Sequence, residues 1–188
     1  MSGDPTRSDV SQLVVPVTED DHRQGPDDAA VTLVEYGDYQ CSHCGQASPL
    51  IKDVQEQFGD DLRFVFRNFP LTSIHKYAQH AAEAAEAAGA QGEEEFWSMH
   101  DLLYENQDAL DDESLITYAE QLGLDPERFR SDFASHAFED RIHEQFVGGA
   151  RSGVNGTPTF YINGERYDGS WSPSPLSTAI QRVLSSSR

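Results

Sequence analysis

At 188 residues, with 37% hydrophobic and 10% aromatic side chains, the chain can build one cored domain, or a small core fold carrying an insertion, and it is not a disordered polymer. Its 33 acidic residues against 13 Lys and Arg give a formal net charge of −20, a surface that repels phosphate backbones and anionic membranes and so excludes nucleic acid as a partner. With only Lys52 and Lys76 as lysines, the acid excess is that expected of a protein soluble in concentrated salt, where the Debye length falls to about 3 Å at 1 M.

Residues 1–27 read as a polar tail interrupted by Pro5, Pro16, Gly25 and Pro26, with 13–17 as a short edge strand. No basic start or apolar stretch of signal-peptide length opens it, so the chain as written reads as cytoplasmic; a chain trimmed of a leader would read the same and act outside the cytoplasm. No run approaches the roughly 20 apolar residues of a membrane span, so no membrane insertion is expected. A single domain follows over 28–188. The β-branched run 31–36 predicts a buried strand, and after Cys41-Ser42-His43-Cys44 the spacing of Ala47, Leu50, Ile51, Val54 and Phe58 predicts a helix closed by Gly59. A second strand, 62–69, stops at Pro70. Strand, turn, helix, strand is a right-handed crossover joining parallel strands. From about 71 to 149 every periodic stretch is helical, over 77–88, 94–105, 112–122 and 126–147, which predicts an inserted subdomain of three or four helices. Its aromatic stripe, Phe96, Trp97, Phe129, Phe133 and Phe138, reads as helical core. Thr157 to Ile162 restores a strand, Asn163-Gly164 signals a hairpin, 165–168 is the return strand, and a helix over 174–184 ends the chain.

The two cysteines both belong to one C-x-x-C, so the fold stands on its core and the thiols are free for chemistry. At i and i+3 on a first helical turn their sulfurs share a face, near enough to bridge. Cys41 sits where free N–H groups and the helix dipole stabilise a thiolate. His43 can add positive charge or a hydrogen bond to that thiolate, and Cys44, one turn inside, suits the resolving role. Zinc needs about four ligands, and no second cysteine pair exists; no metal is expected, His75 and His80 reading as surface residues.

The ordered combination of a buried strand, Cys41-Ser42-His43-Cys44, a helical insertion, and Gly156-Thr157-Pro158-Thr159 before an Asn163-Gly164 hairpin resembles the DsbA-like thiol–disulfide oxidoreductases of the thioredoxin superfamily, over about residues 28–186. The resemblance implies an α/β thioredoxin fold, a central mixed sheet flanked by helices, with an inserted all-helical subdomain. It implies that Pro158 is a cis-proline facing the cysteines and that Thr157 offers its backbone to an extended substrate peptide. It makes Cys41 the exposed nucleophile and Cys44 the resolving thiol. Glu35, six residues before Cys41, stands where this family often keeps a buried acid that shuttles the Cys44 proton. The alternative is a solvent-facing Glu on a half-exposed strand, because Val34 and Tyr36 do not settle which face is buried. Better-known members carry Pro where Ser42 stands, a position that tunes the redox potential. Domains of this type also occur fused behind sodium/proton antiporters; Met1 and the polar tail read here as a free-standing form.

The expected reaction is dithiol–disulfide exchange with protein thiols and disulfides, served by an unidentified redox partner, with the Cys41–Cys44 disulfide as the only cofactor and the direction of electron flow open. The rival readings are a redox-inactive thioredoxin-fold adaptor and a glutathione-dependent isomerase or transferase of the related helical-insertion type. The latter usually carries a single Ser or Cys where this chain has the pair.

Overall fold

The computed structural model describes residues 11–187, so residues 1–10 of the tail lie outside the described residues. Five strands form one mixed sheet in the order β1-β3-β2-β4-β5. The run Val31–Gly37 is β2 and Leu62–Asn68 is β3, paired in parallel from Val31↔Leu62 to Gly37↔Asn68. Between them runs α1, Ser42–Phe58, followed by a single 3₁₀ turn. Both strands are Val-, Leu- and Phe-rich because both of their faces are covered. β4 (Thr159–Ile162) pairs antiparallel with β2, and β5 (Glu165–Tyr167) with β4, across the Asn163-Gly164 turn, where both residues take positive φ.

The short edge strand is not at 13–17. β1 is His22–Gln24, antiparallel to β3. Residues 13–17 find their hydrogen bonds elsewhere: Leu13 N–H donates to Gly164 O, Val14 N–H to Ser152 Oγ, and the Arg67 guanidinium reaches Val15 O and Pro16 O. Pro16 also removes a ladder donor, which works against a strand there.

Five helices stand between β3 and β4, where three or four were expected: α2 (Ala78–Gly89), α3 (Glu93–Glu105), α4 (Asp112–Gln121), α5 (Pro126–Ala134) and α6 (Glu139–Arg151). The single helix expected over 126–147 is two, broken at His136, which has φ +54. The break is written as a five-residue step between Phe133 and Phe138, where an unbroken helix would place three or four. α2 is alanine-rich because it is buried between neighbours: Ala81, Ala84, Ala85, Ala87 and Ala88 are fully enclosed. The final helix, α7, is Pro173–Ser186.

The sheet divides the core. Val31, Leu33, Phe64, Phe66, Phe160 and Ile162 face α1, α7 and the inserted helices, with Phe96, Trp97, Phe129 and Phe133 buried in the same cluster. Val34, Tyr36, Val65, Phe69 and Tyr161 pack on the other face. Strand alternation puts Glu35 on the side of Leu33, under α1, where it is 2% exposed; the solvent-facing alternative is not what the fold adopts. A polar pin joins the sheet to the insertion. Buried Glu86 on α2 accepts from His22 Nε2 at 2.9 Å, Asn68 Nδ2 at 2.9 Å and Arg141 Nε at 3.0 Å. Against the cost of burial, hydrogen bonds to Glu86 and Glu93 raise the His22 pKa to about 9, so the group is an imidazolium at neutral pH.

Candidate active site

Because β2 ends at Gly37 and α1 begins at Ser42, the four residues between form a tight turn that delivers Cys41 as the helix N-cap. Asp38 shapes that turn. Its backbone carbonyl accepts from Cys41 N–H at 3.1 Å and its carboxylate accepts from Gln40 N–H at 2.8 Å. The same buried carboxylate accepts from Leu71 N–H at 2.9 Å and bonds His75 Nδ1 at 2.7 Å, tying the turn to the segment after β3. Gln40 Oε1 accepts from Tyr77 N–H at 2.7 Å. From the far side Gln107 Nε2 donates to both Tyr39 O and Cys41 O at 2.8 Å, and its amide occupies the space a side chain at Gly45 would need. Asp38, Gln40 and Gln107 were not singled out from sequence. The first two carried a signal, polar side chains closing an apolar strand just before the cysteines; Gln107 carried none.

Cys41 and Cys44 are free thiols with opposite surroundings. Cys44 is fully buried, and Cys41 keeps 8% of its surface. Cys41 is therefore the accessible sulfur of the two but not an openly exposed one, because the Thr157–Pro158 segment lies over it. That peptide bond is cis, and Cys41 Sγ donates to Thr157 O at 3.5 Å. The Cys41 pKa is lowered to about 5, first by the Cys44 thiol donating to it, then by the Thr157 hydroxyl and the backbone N–H groups of Cys44 and His43, all outweighing burial. Thr157 Oγ1 is buried with no partner while Cys41 is a thiol, which leaves it to donate to the thiolate. His43 contributes its backbone N–H; its imidazole is exposed and makes no hydrogen bond among the described residues. Cys44 is pushed well above the ordinary thiol range by burial, by its hydrogen bond to Cys41 and by the negative charges of Glu35 and Cys41.

Glu35 completes the buried layer beneath the cysteines. Burial, and then the Cys41 thiolate, raise its pKa to about 8. Its Oε1 is buried without a partner, as is Tyr104 Oη, and both flank the bare Cα of Gly37. A small cavity of about 10 Å³, room for one water, is lined by Glu35, Trp97, His100, Lys52 and Asp101, the last two pairing at 3.0 Å near the surface.

A C-x-x-C at a helix start, facing a cis-proline ahead of an antiparallel strand, defines a thiol–disulfide exchange centre. The chain belongs to the thioredoxin family, whose model matches residues 17–182, and within it to the DsbA-like thiol–disulfide oxidoreductases. It is similar to oxidised BdbD from Bacillus subtilis at 25% identity and TM-score 0.82, covering 94% of this chain and 97% of that one. A thioredoxin-like oxidoreductase from Silicibacter pomeroyi matches at 25% identity and TM-score 0.76, covering 87% and 91%. In sequence it is 47% identical over 180 residues to Na(+)/H(+) antiporter NhaA 1 of Salinispora arenicola, covering 95% of this chain and 27% of that protein. A Mycobacterium sp. protein of the same name is 41% identical over 172 residues. The chain thus spans about a quarter of the length of these curated relatives. No described helix is long and apolar enough to cross a membrane.

Proposed function

We propose that the chain oxidises protein dithiols, with Cys41 as the sulfur that meets substrate, Cys44 as its buried partner and Glu35 as the proton carrier between them. The observation that carries this reading is the split between the two thiols, one acidic to about 5 and the other held well above the ordinary range. A substrate thiolate attacks Cys41 Sγ of the Cys41–Cys44 disulfide, and the sulfur–sulfur bond breaks toward Cys44. Cys44 leaves as a thiolate in a site that disfavours its charge, so it takes a proton from neutral Glu35. A second substrate thiolate then attacks its own sulfur in the mixed disulfide and expels Cys41, the better leaving group because its thiolate is stabilised. Two electrons pass to the protein and the substrate leaves as a disulfide. Glu35 then recovers its proton from solvent, by way of a water in the small cavity that it lines together with Lys52 and Asp101.

The acidity of Cys41 supports this direction. At pH 7 a thiolate with pKa about 5 stabilises the reduced form by roughly 1.4 kcal/mol per unit, so the couple is about 60 mV more oxidising than the same pair with an ordinary thiol. Such a couple fits an oxidising compartment better than the cytoplasm, where glutathione would hold it reduced. Substrate is recognised as an extended segment laid against the backbone of Thr157 beside Pro158, at the head of β4, which suits unfolded or partly folded proteins. The test is equilibration of the Cys41–Cys44 pair against glutathione, alongside incubation of Cys44→Ser with reduced and scrambled protein substrates. An oxidising potential and mixed disulfides through Cys41 support the proposal. A potential as low as that of thioredoxin, about −270 mV, would reverse the direction.

A further inference from the structure

We propose that His80, Glu83 and His136 form a binding site for a divalent transition-metal ion of the zinc class, on the inserted helices and separate from the cysteines. α2 places His80 and Glu83 three residues apart on one face, and His136 comes to them from the turn between α5 and α6. One ring nitrogen of each histidine and one carboxylate oxygen of Glu83 all lie within 4.8 Å of one another. Two imidazoles and a carboxylate suit a borderline cation; magnesium and calcium prefer all-oxygen shells.

Three further observations single this cluster out from ordinary surface histidines. His80 Nδ1 is held by Asp112 Oδ1 at 2.6 Å, which fixes the ring and leaves Nε2 as its free nitrogen. A carboxylate behind the imidazole is the usual outer partner of a metal-bound histidine. Glu83, whose side chain is 3% exposed, is a buried carboxylate bonded through Oε1 to His136 Nδ1 at 2.7 Å. A divalent ion would take the place of the proton shared there, and burial favours a cation at that point. His136 is held at φ +54, a left-handed backbone that costs a non-glycine residue about 1 kcal/mol or more and that presents its ring to Glu83 and His80. An ion pair between His136 and Glu83 alone would account neither for the second imidazole, 5.8 Å away ring to ring, nor for its orientation by Asp112. Because both histidines are about half exposed, a fourth coordination position faces solvent. The ion would clamp α2 to the α5–α6 turn and, through Asp112, to the start of α4.

The test uses the oxidised protein, so that the closed Cys41–Cys44 disulfide offers no thiolate. Zn²⁺ is titrated calorimetrically and Co²⁺ by its visible absorption. One ion per chain, a higher melting temperature with Zn²⁺, and a Co²⁺ spectrum without sulfur charge-transfer bands are expected. His80→Ala and His136→Ala should each weaken binding more than tenfold, and Asp112→Asn about tenfold, with folding checked by circular dichroism. His143→Ala, an exposed histidine on α6, should leave binding unchanged. Absence of saturable binding up to millimolar Zn²⁺, or binding that survives the His80→Ala/His136→Ala double variant, would overturn the proposal.

Discussion

The Cys41 thiolate and the Glu35 carboxyl oppose each other's charge across the base of α1. Burial is the larger influence on Glu35 and the thiolate the second, and together they hold the carboxyl at about 8. At neutral pH the layer therefore carries one negative charge, on the sulfur, and a proton on Glu35 beneath it. In the reduced protein this leaves an acidic sulfur at the surface, a protonated Cys44 behind it and a neutral carboxyl beneath both.

Glu35→Gln should slow oxidation of a dithiol substrate by about a hundredfold, the lower end of what a positioned proton donor contributes. It should also change the pH dependence of stability. Between the ordinary carboxyl value of 4.5 and the folded value of about 8, the folded chain keeps a proton that the unfolded chain releases, so stability falls as pH rises. The slope is at most about 1.4 kcal/mol per pH unit. In the oxidised protein, where no Cys41 thiolate adds to it, burial alone raises the carboxyl; urea unfolding should show the decline setting in above about pH 4.5, and Glu35→Gln should flatten it. An unchanged slope would mean that Glu35 is solvated.

The sulfur has the opposite sign. Cys41 goes from an ordinary 9 to about 5 on folding, so the reduced protein gains stability as pH climbs from 5 toward 9. The oxidised protein has no such thiolate. The reduced form should therefore resist urea better than the oxidised form at pH 7 and no better at pH 4. Titration of thiolate absorbance should give a midpoint near 5, moving upward in Cys44→Ser because the Cys44 thiol is the leading cause of the shift. A redox-inactive adaptor would instead retain its partner binding and phenotype with both cysteines replaced by Ser.

Gln107→Ala removes two hydrogen bonds from the carbonyls that precede and carry Cys41, each worth about 1 kcal/mol net. A loss of about 1–3 kcal/mol by urea unfolding is expected, together with faster alkylation of Cys44, whose cover depends on that turn. Stability loss without a change in Cys44 reactivity would place Gln107 in the fold alone.

Screening should stabilise a chain of net charge −20. Raising NaCl from about 0.01 to 1 M contracts the Debye length from about 30 to 3 Å, and the melting temperature should rise with it. A flat or falling response would show that the surface acids are already balanced by local pairing.

Much of this was legible in the sequence because it is local. The strand before Cys41, the amphipathic helix after it and the Asn163-Gly164 hairpin are each written in consecutive residues. What was not legible is what folding brings from afar. Residues 13–17 look like a strand by composition, yet their partners are Ser152, Gly164 and Arg67. The His136 break hides in a one-residue slip of helical phase. Gln107 reaches Cys41 across 66 positions, and nothing around it marks a polar residue whose amide faces inward. The burial of Glu35 could not be decided between Val34 and Tyr36, because a strand covered on both faces loses its alternation.

Glu86 carries a consequence for how the molecule comes apart. One carboxylate binds β1 through His22, β3 through Asn68 and α6 through Arg141 while belonging to α2. None of these segments can detach without stranding a charge or an amide inside, so local opening of the inserted helices is coupled to release of the N-terminal edge of the sheet. Amides of α2 and β1 should exchange with solvent deuterium as one cooperative unit, and the loops around the cysteines can open without it.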